Sequence, residues 1–281
     1  MNRGQWRRWR RILTALYLVA AIASLRDYTL LFAPTTLVGA LALLYTPATG
    51  KYPPESFRYG WLALLFIAGS FAMPQSPAVY GAVGCAACLL LETFYRRVTV
   101  TLPLILGLLP PVTGYYIGTF SFPIRLRLTA IAGRLIGSDH AFSVDHASDG
   151  LHMLVISLLT ALLLINYYQT HCRRKLRPFT ILLLLITATV FNIIANLFRI
   201  ICLVMLAILP DNPLHHWLGL FFLGAWIFLP LLLLIRWTIH RLGVPEPEGA
   251  TRPARSRALL LTNIAIASAV LLIIGLRTLQ G

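Results

Sequence analysis

The chain has 281 residues, 58% of them hydrophobic and only 12% charged, roughly half the charged share of a soluble domain. Lys and Arg number 24 against 9 Asp and Glu, giving a formal net charge of +15, and mean hydropathy is +0.77. Too little polar surface exists to cover a globule, which excludes a soluble enzyme, a disordered tail and a secreted disulfide scaffold.

In chain order, apolar runs with charged borders predict spans at 12–28, 29–47, 60–75, 77–95, 100–120, 151–169, 179–209, 214–235 and 259–276. Their lengths approach the ~20 residues that a helix needs to cross a bilayer core. The expected fold is an all-α integral membrane protein, a polytopic bundle of eight or nine transmembrane helices. The first run, Ile12 to Leu25, is short and follows five arginines, as in a signal peptide. Ala21-Ile22-Ala23 even resembles a cleavage site. A retained signal anchor is the preferred reading, with cleavage as the alternative. In the segment 121–149, Ile124, Leu128, Ile131 and Leu135 recur on one helical face. This predicts a short interfacial helix on the outer leaflet, an anchor rather than a catalytic element. Residues 243–257, with three prolines, read as part of a cytoplasmic linker.

Orientation follows from charge. With the amino terminus in the cytoplasm, 18 of the 24 basic residues fall on inside segments, as the positive-inside rule demands. The basic excess therefore reports topology, and no nucleic-acid partner is expected despite a pI near 10.4. Asp27, Asp139, Asp145, Asp149 and Asp211 fall outside, with His140, His146, His152, His215 and His216. Groups able to do chemistry thus gather away from the cytoplasm.

Three features carry candidate chemistry. Asp145-His146-Ala147-Ser148-Asp149-Gly150-Leu151-His152 stands where the chain re-enters the membrane. Ser148 or Asp149 would cap a helix start there. Alternatively, Ser148 is a nucleophile, with the helix dipole favouring an oxyanion beside it. Asn192, Asn196 and Arg199 are spaced i, i+4, i+7 on one face of an apolar run. An intramembrane Arg needs a partner or a wet cavity, and reads as functional or as half of an ion pair. His215-His216 follows Asp211-Asn212-Pro213 at the next entrance, either solvated or a general acid and base. Asp145, Asp149 and His152, with His215 or His216, could also hold a metal, but no His-Glu-x-x-His motif is present and no metal or other cofactor is expected. Cys85 and Cys88 form a C-x-x-C inside a small-residue run, which favours close helix packing over redox chemistry.

The order of these landmarks resembles the exosortase/archaeosortase family of membrane transpeptidases. That family places an acidic residue before Ala-Cys-Ser-Gly-Ile at a helix start, and the Cys is its nucleophile. Here the stretch is Asp145-His146-Ala147-Ser148-Asp149-Gly150-Leu151, with Ser148 in place of Cys and Asp149 in place of Ser. The family's Ala-Asn-x-x-Arg-(Ile/Val) is matched by Ala195-Asn196-Leu197-Phe198-Arg199-Ile200, and its His four residues before Gly by His215 and Gly219. The resemblance spans about 100–235. It implies 1–99 as amino-terminal transmembrane helices, 100–235 as the catalytic core, 236–258 as the cytoplasmic linker and 259–281 as the last helix.

It further implies cleavage of carboxy-terminal sorting tails of exported proteins, at the periplasmic side of the inner membrane. Ser148, Arg199 and His215 would be catalytic, with Asp145, His146, Asp149, His152 and Asn196 supporting them. A serine, unlike a thiol, needs an adjacent base, which His215, His152 or His146 could supply. The substitution leaves a serine-nucleophile enzyme and a chain that has lost the chemistry as alternatives. Outside the resemblance stand a non-catalytic membrane component of an export or polysaccharide assembly system and a metal-dependent membrane hydrolase.

Overall fold

The computed structural model describes residues 3–24, 34–46, 57–72, 76–94, 98–109, 113, 126–127, 130–131, 134, 150–206, 208, 212–245 and 256–280. The described chain is almost wholly helical. In order, the helices are α1 (Arg3–Ser24), α2 (Pro34–Leu44), α3 (Arg58–Ala72), α4 (Ser76–Phe94), α5 (Thr101–Leu108), α6 (Gly150–His171), α7 (Pro178–Met205), α8 (Pro213–Phe222), α9 (Leu229–Leu242) and α10 (Arg257–Gln280). A π-helical stretch, Leu223–Phe228, joins α8 to α9 without a break. Two short strands, β1 (Arg174–Lys175) and β2 (Val244–Pro245), pair antiparallel.

Among the described residues, five segments are long and apolar enough to cross a membrane: Pro77–Phe94, His152–His171, Pro178–Leu203, Pro213–Leu242 and Arg257–Leu276. Pro34–Leu44 and Arg58–Phe71 are apolar but shorter. Large side chains such as Phe179, Leu182, Leu183 and Ile186 on α7 are exposed. In water that face would be unstable, whereas in hydrocarbon it needs no cover. These features are compatible with a multi-pass membrane protein. Of the segment expected to lie on the outer leaflet, only Leu126, Arg127, Ala130, Ile131 and Arg134 are described. They are helical and exposed; the rest lies outside the described residues.

The chain divides into two compact units. One contains α1, α3, α4, α5 and α10, with α4 in contact with the other four helices. Small residues on α4 permit close approach: a Cβ on Gly81 would stand 2.8 Å from the Phe66 ring of α3. Cys88 is fully buried and Cys85 half-buried on the same helix. Buried polar groups are tied together. Asn263 of α10 donates to Thr93 Oγ1 at 2.9 Å and to Leu259 O at 2.8 Å, and Tyr17 Oη donates to Asn263 O at 2.9 Å. Arg58 pairs with Glu92, which also accepts from the Val98 N–H. Trp6, Leu13, Tyr17 and Ala20 of α1 are buried in this unit.

The second unit holds Leu37–Tyr45 and Thr113–Glu246. Its core lies along α6, which packs against both α7 and α9, with Leu159, Leu162, Ile165, Ala188, Leu231, Ile235 and Ile239 buried. Asn166 of α6 donates to Ala42 O, and Thr170 to Tyr45 O, which ties the α2 stretch to α6. The β1–β2 clip holds together the ends of α6 and α9. Arg173 enters it at φ 49°, an uncommon left-handed conformation for a side-chain-bearing residue. Gly243 closes α9 with its N–H on Ile239 O, and a Cβ there would come within 2.3 Å of that same carbonyl.

Candidate functional site

The candidate site lies in the second unit, where one face of α7 meets α6 and α8. Ala188, Asn192, Ala195, Asn196, Arg199 and Leu203 recur at helical spacing and are all buried. On this face two small alanines leave room around three polar side chains. Asn192 Nδ2 lies 3.5 Å from Ser157 Oγ on α6, at the outer limit for a hydrogen bond. Ser157 itself donates back to Met153 O. This is the usual way for a hydroxyl to satisfy itself inside a helix.

Arg199 is only 5% exposed. Its Nη2 lies 3.0 Å from Nε2 of His215, which is 3% exposed, and its Nη1 lies 3.4 Å from Sδ of Met153. Arg199 Nε and Asn196 Oδ1 are buried and have no hydrogen-bond partner among the described residues. No described carboxylate pairs with the guanidinium; the ion pair found among the described residues joins Arg58 to Glu92. A buried guanidinium otherwise carries a cost of several kcal/mol, so its surroundings matter.

The sequence places His215 by a local device. Asn212 caps α8, accepting the Leu214 N–H at 3.0 Å, and Pro213 occupies the first helical position, where no N–H is needed. His215 is thereby fixed in the first turn of α8. Gly219, one turn on, faces the same guanidinium: a Cβ there would be 3.5 Å from Arg199 Cζ. The missing side chain lets the α8 backbone lie against the cation.

The bond also fixes the imidazole's state. Guanidinium nitrogens only donate, so His215 Nε2 accepts, and in the neutral ring the proton sits on Nδ1. Nε2 is the nitrogen that a general base would use, and in this arrangement Arg199 occupies it.

Of the residues singled out in the sequence, Asn196, Arg199 and His215 come together here. His152 is exposed in the first turn of α6. Asp145, His146, Ser148 and Asp149 lie outside the described residues, as does the side chain of His216. Among the described residues, no three of His, Cys, Asp and Glu converge as metal ligands. Met153 was not foreseen, because a methionine in an apolar run carries no spacing signal for a cation. Gly219 was already marked with His215 in the sequence, four residues on and so on the same helical face.

The fold and site define a helical, membrane-compatible bundle with a buried arginine–histidine contact between consecutive helices. Comparison with family models, curated proteins and solved structures finds no match for the chain.

Proposed function

We propose that the chain is an exosortase-like membrane peptidase or transpeptidase, acting on carboxy-terminal tails of exported proteins at the outer face of the inner membrane. The observation that carries this reading is the buried contact of Arg199 with His215. They supply a cation for an oxyanion and an imidazole for proton transfer. The full bundle would have eight or nine spans, with α1 and the shorter apolar helices added to the five long ones, and an interfacial helix on the outer leaflet. The amino terminus would be cytoplasmic and the site periplasmic.

The start of α6 supports a role for Ser148. Met153 touches Arg199 and lies one turn inside α6, which begins at Gly150. Ser148 is two residues earlier, and two extended residues span at most about 7 Å. In the proposed reaction Arg199 turns Nη2–H from the imidazole to the scissile carbonyl oxygen, which frees His215 Nε2. Ser148 Oγ attacks the carbonyl carbon and its proton passes to Nε2. The C–N bond then breaks, the amine leaves with that proton, and an acyl ester remains. Water or an acceptor nucleophile resolves the ester.

The test is tail processing in cells, with membrane levels of each variant measured in parallel. Ser148→Ala should abolish processing, Arg199→Ala should slow it by about 10²–10³, and Ser148→Cys should retain it, because a thiol is more readily ionised. Unchanged processing in both alanine variants would favour the non-catalytic component instead.

A further inference from the structure

We infer that Arg199 and Asn196 form a receptor for a peptide carboxyl terminus, the acidic end that tail hydrolysis would generate. This names a ligand for the site proposed above and rests on that reading for the source of the ligand. The binding argument itself needs only the described geometry.

Arg199 is a buried cation whose described acceptors are a thioether sulfur at 3.4 Å and a neutral imidazole nitrogen at 3.0 Å. Both are weak partners for a guanidinium, and Nε has none among the described residues. A carboxylate forms shorter, charge-assisted bonds to a guanidinium, often as a fork. Its single negative charge matches the single buried positive charge, whereas a phosphate carries more charge than one arginine neutralises.

Asn196 adds a second requirement. Its Oδ1 is a buried acceptor without a described partner, three residues before Arg199 and so on the same helical face. An acceptor beside an anion site calls for a donor on the ligand. The last residue of a peptide carries both groups a few bonds apart: a carboxylate for Arg199 and an amide N–H for Asn196. A simple anion lacks the donor, and a lipid phosphate lacks the amide placed next to its charge. With the carboxylate bound, Arg199 is held in its charged, paired state, so the product of hydrolysis competes with the next tail.

The experiment uses the full chain in detergent micelles with N-acetyl-alanine, its carboxamide and inorganic phosphate as probes, and reads thermal stabilisation and calorimetric affinity. The acid should stabilise the wild type in a dose-dependent way, and the carboxamide and phosphate should not. Arg199→Lys keeps the charge but loses the fork, and should weaken acid binding roughly tenfold or more. Asn196→Leu should weaken it less. Met153→Leu removes a competing acceptor at similar volume and should bind the acid at least as tightly as wild type.

Equal binding of acid and carboxamide, stronger binding of phosphate, or no binding by any probe would each overturn the inference. So would acid binding that appears only after Asp145 and Asp149 are changed to Asn, because an internal carboxylate would then fill the place. Binding is read without turnover, so loss of processing in Ser148→Ala and loss of acid binding in Arg199→Lys are separate results.

Discussion

At Arg199 a structural and a functional buried charge lead to different expected outcomes. A structural arginine earns its place through a partner whose loss is costly, whereas here the described partners are a sulfur and a neutral imidazole. Replacing a poorly paired buried ion with an apolar side chain of similar volume is commonly neutral or stabilising. Arg199→Met is therefore expected to keep or raise thermal stability while slowing the proposed tail processing by about 10²–10³, as the alanine variant would. A large fall in unfolding temperature would show instead that the cation holds the helices together. His215→Ala is expected to destabilise, because it removes the closest acceptor and leaves the guanidinium buried. Nitrogen NMR of the labelled imidazole should find the proton on Nδ1 in wild type. A ring protonated on Nε2 would be incompatible with the Arg199 contact.

At the scale of elements, glycines set how closely chain segments approach. The Ile239 carbonyl would meet a Cβ on Gly243 at 2.3 Å, and that carbonyl belongs to the backbone of α9 and cannot rotate away. Gly243→Ala should cost about 2 kcal/mol or more and loosen the β1–β2 clip, measurable as faster amide exchange around Lys175. Gly81 differs, because its neighbour is the Phe66 side chain. Gly81→Ala should be tolerated once the ring shifts, whereas Gly81→Leu should separate α3 from α4, and Phe66→Ala should partly restore it. The C-x-x-C on α4 was legible as packing from its small neighbours, since a residue every third or fourth position returns to the same face. The Tyr17–Asn263–Thr93 link was not. Its partners lie up to 246 residues apart, and no local pattern reports which distant helix supplies a hydrogen bond.

Across the whole chain, charge and hydropathy leave two kinds of surface. The exposed apolar face of α7 suits hydrocarbon, and in the proposed orientation the basic segments between spans face the cytoplasm. Impermeant thiol labelling of intact cells, with the outer membrane made permeable, tests the orientation. In a background without Cys85, Cys88, Cys172 and Cys202, Asp145→Cys should react and Lys175→Cys should not. The reverse pattern would place the Arg199 site on the cytoplasmic side and remove its proposed substrate. The first and last helices, α1 and α10, belong to one unit with α3, α4 and α5, a partition that hydropathy does not encode. The continuation of α9 to Leu242, past the apolar border near 235, reflects Thr238 and Ile239 being buried within the second unit despite charged neighbours.

By itself the sequence determined the helical, lipid-compatible character of the chain, because apolar run length and the siting of charge are local quantities. It also determined that Asn192, Asn196 and Arg199 share a face, since helical periodicity alone settles that. Only the tertiary structure decided what Arg199 meets. The imidazole of His215, the sulfur of Met153 and the bare backbone at Gly219 come from two other helices, and their convergence depends on how those helices pack around the cation rather than on any spacing along the chain.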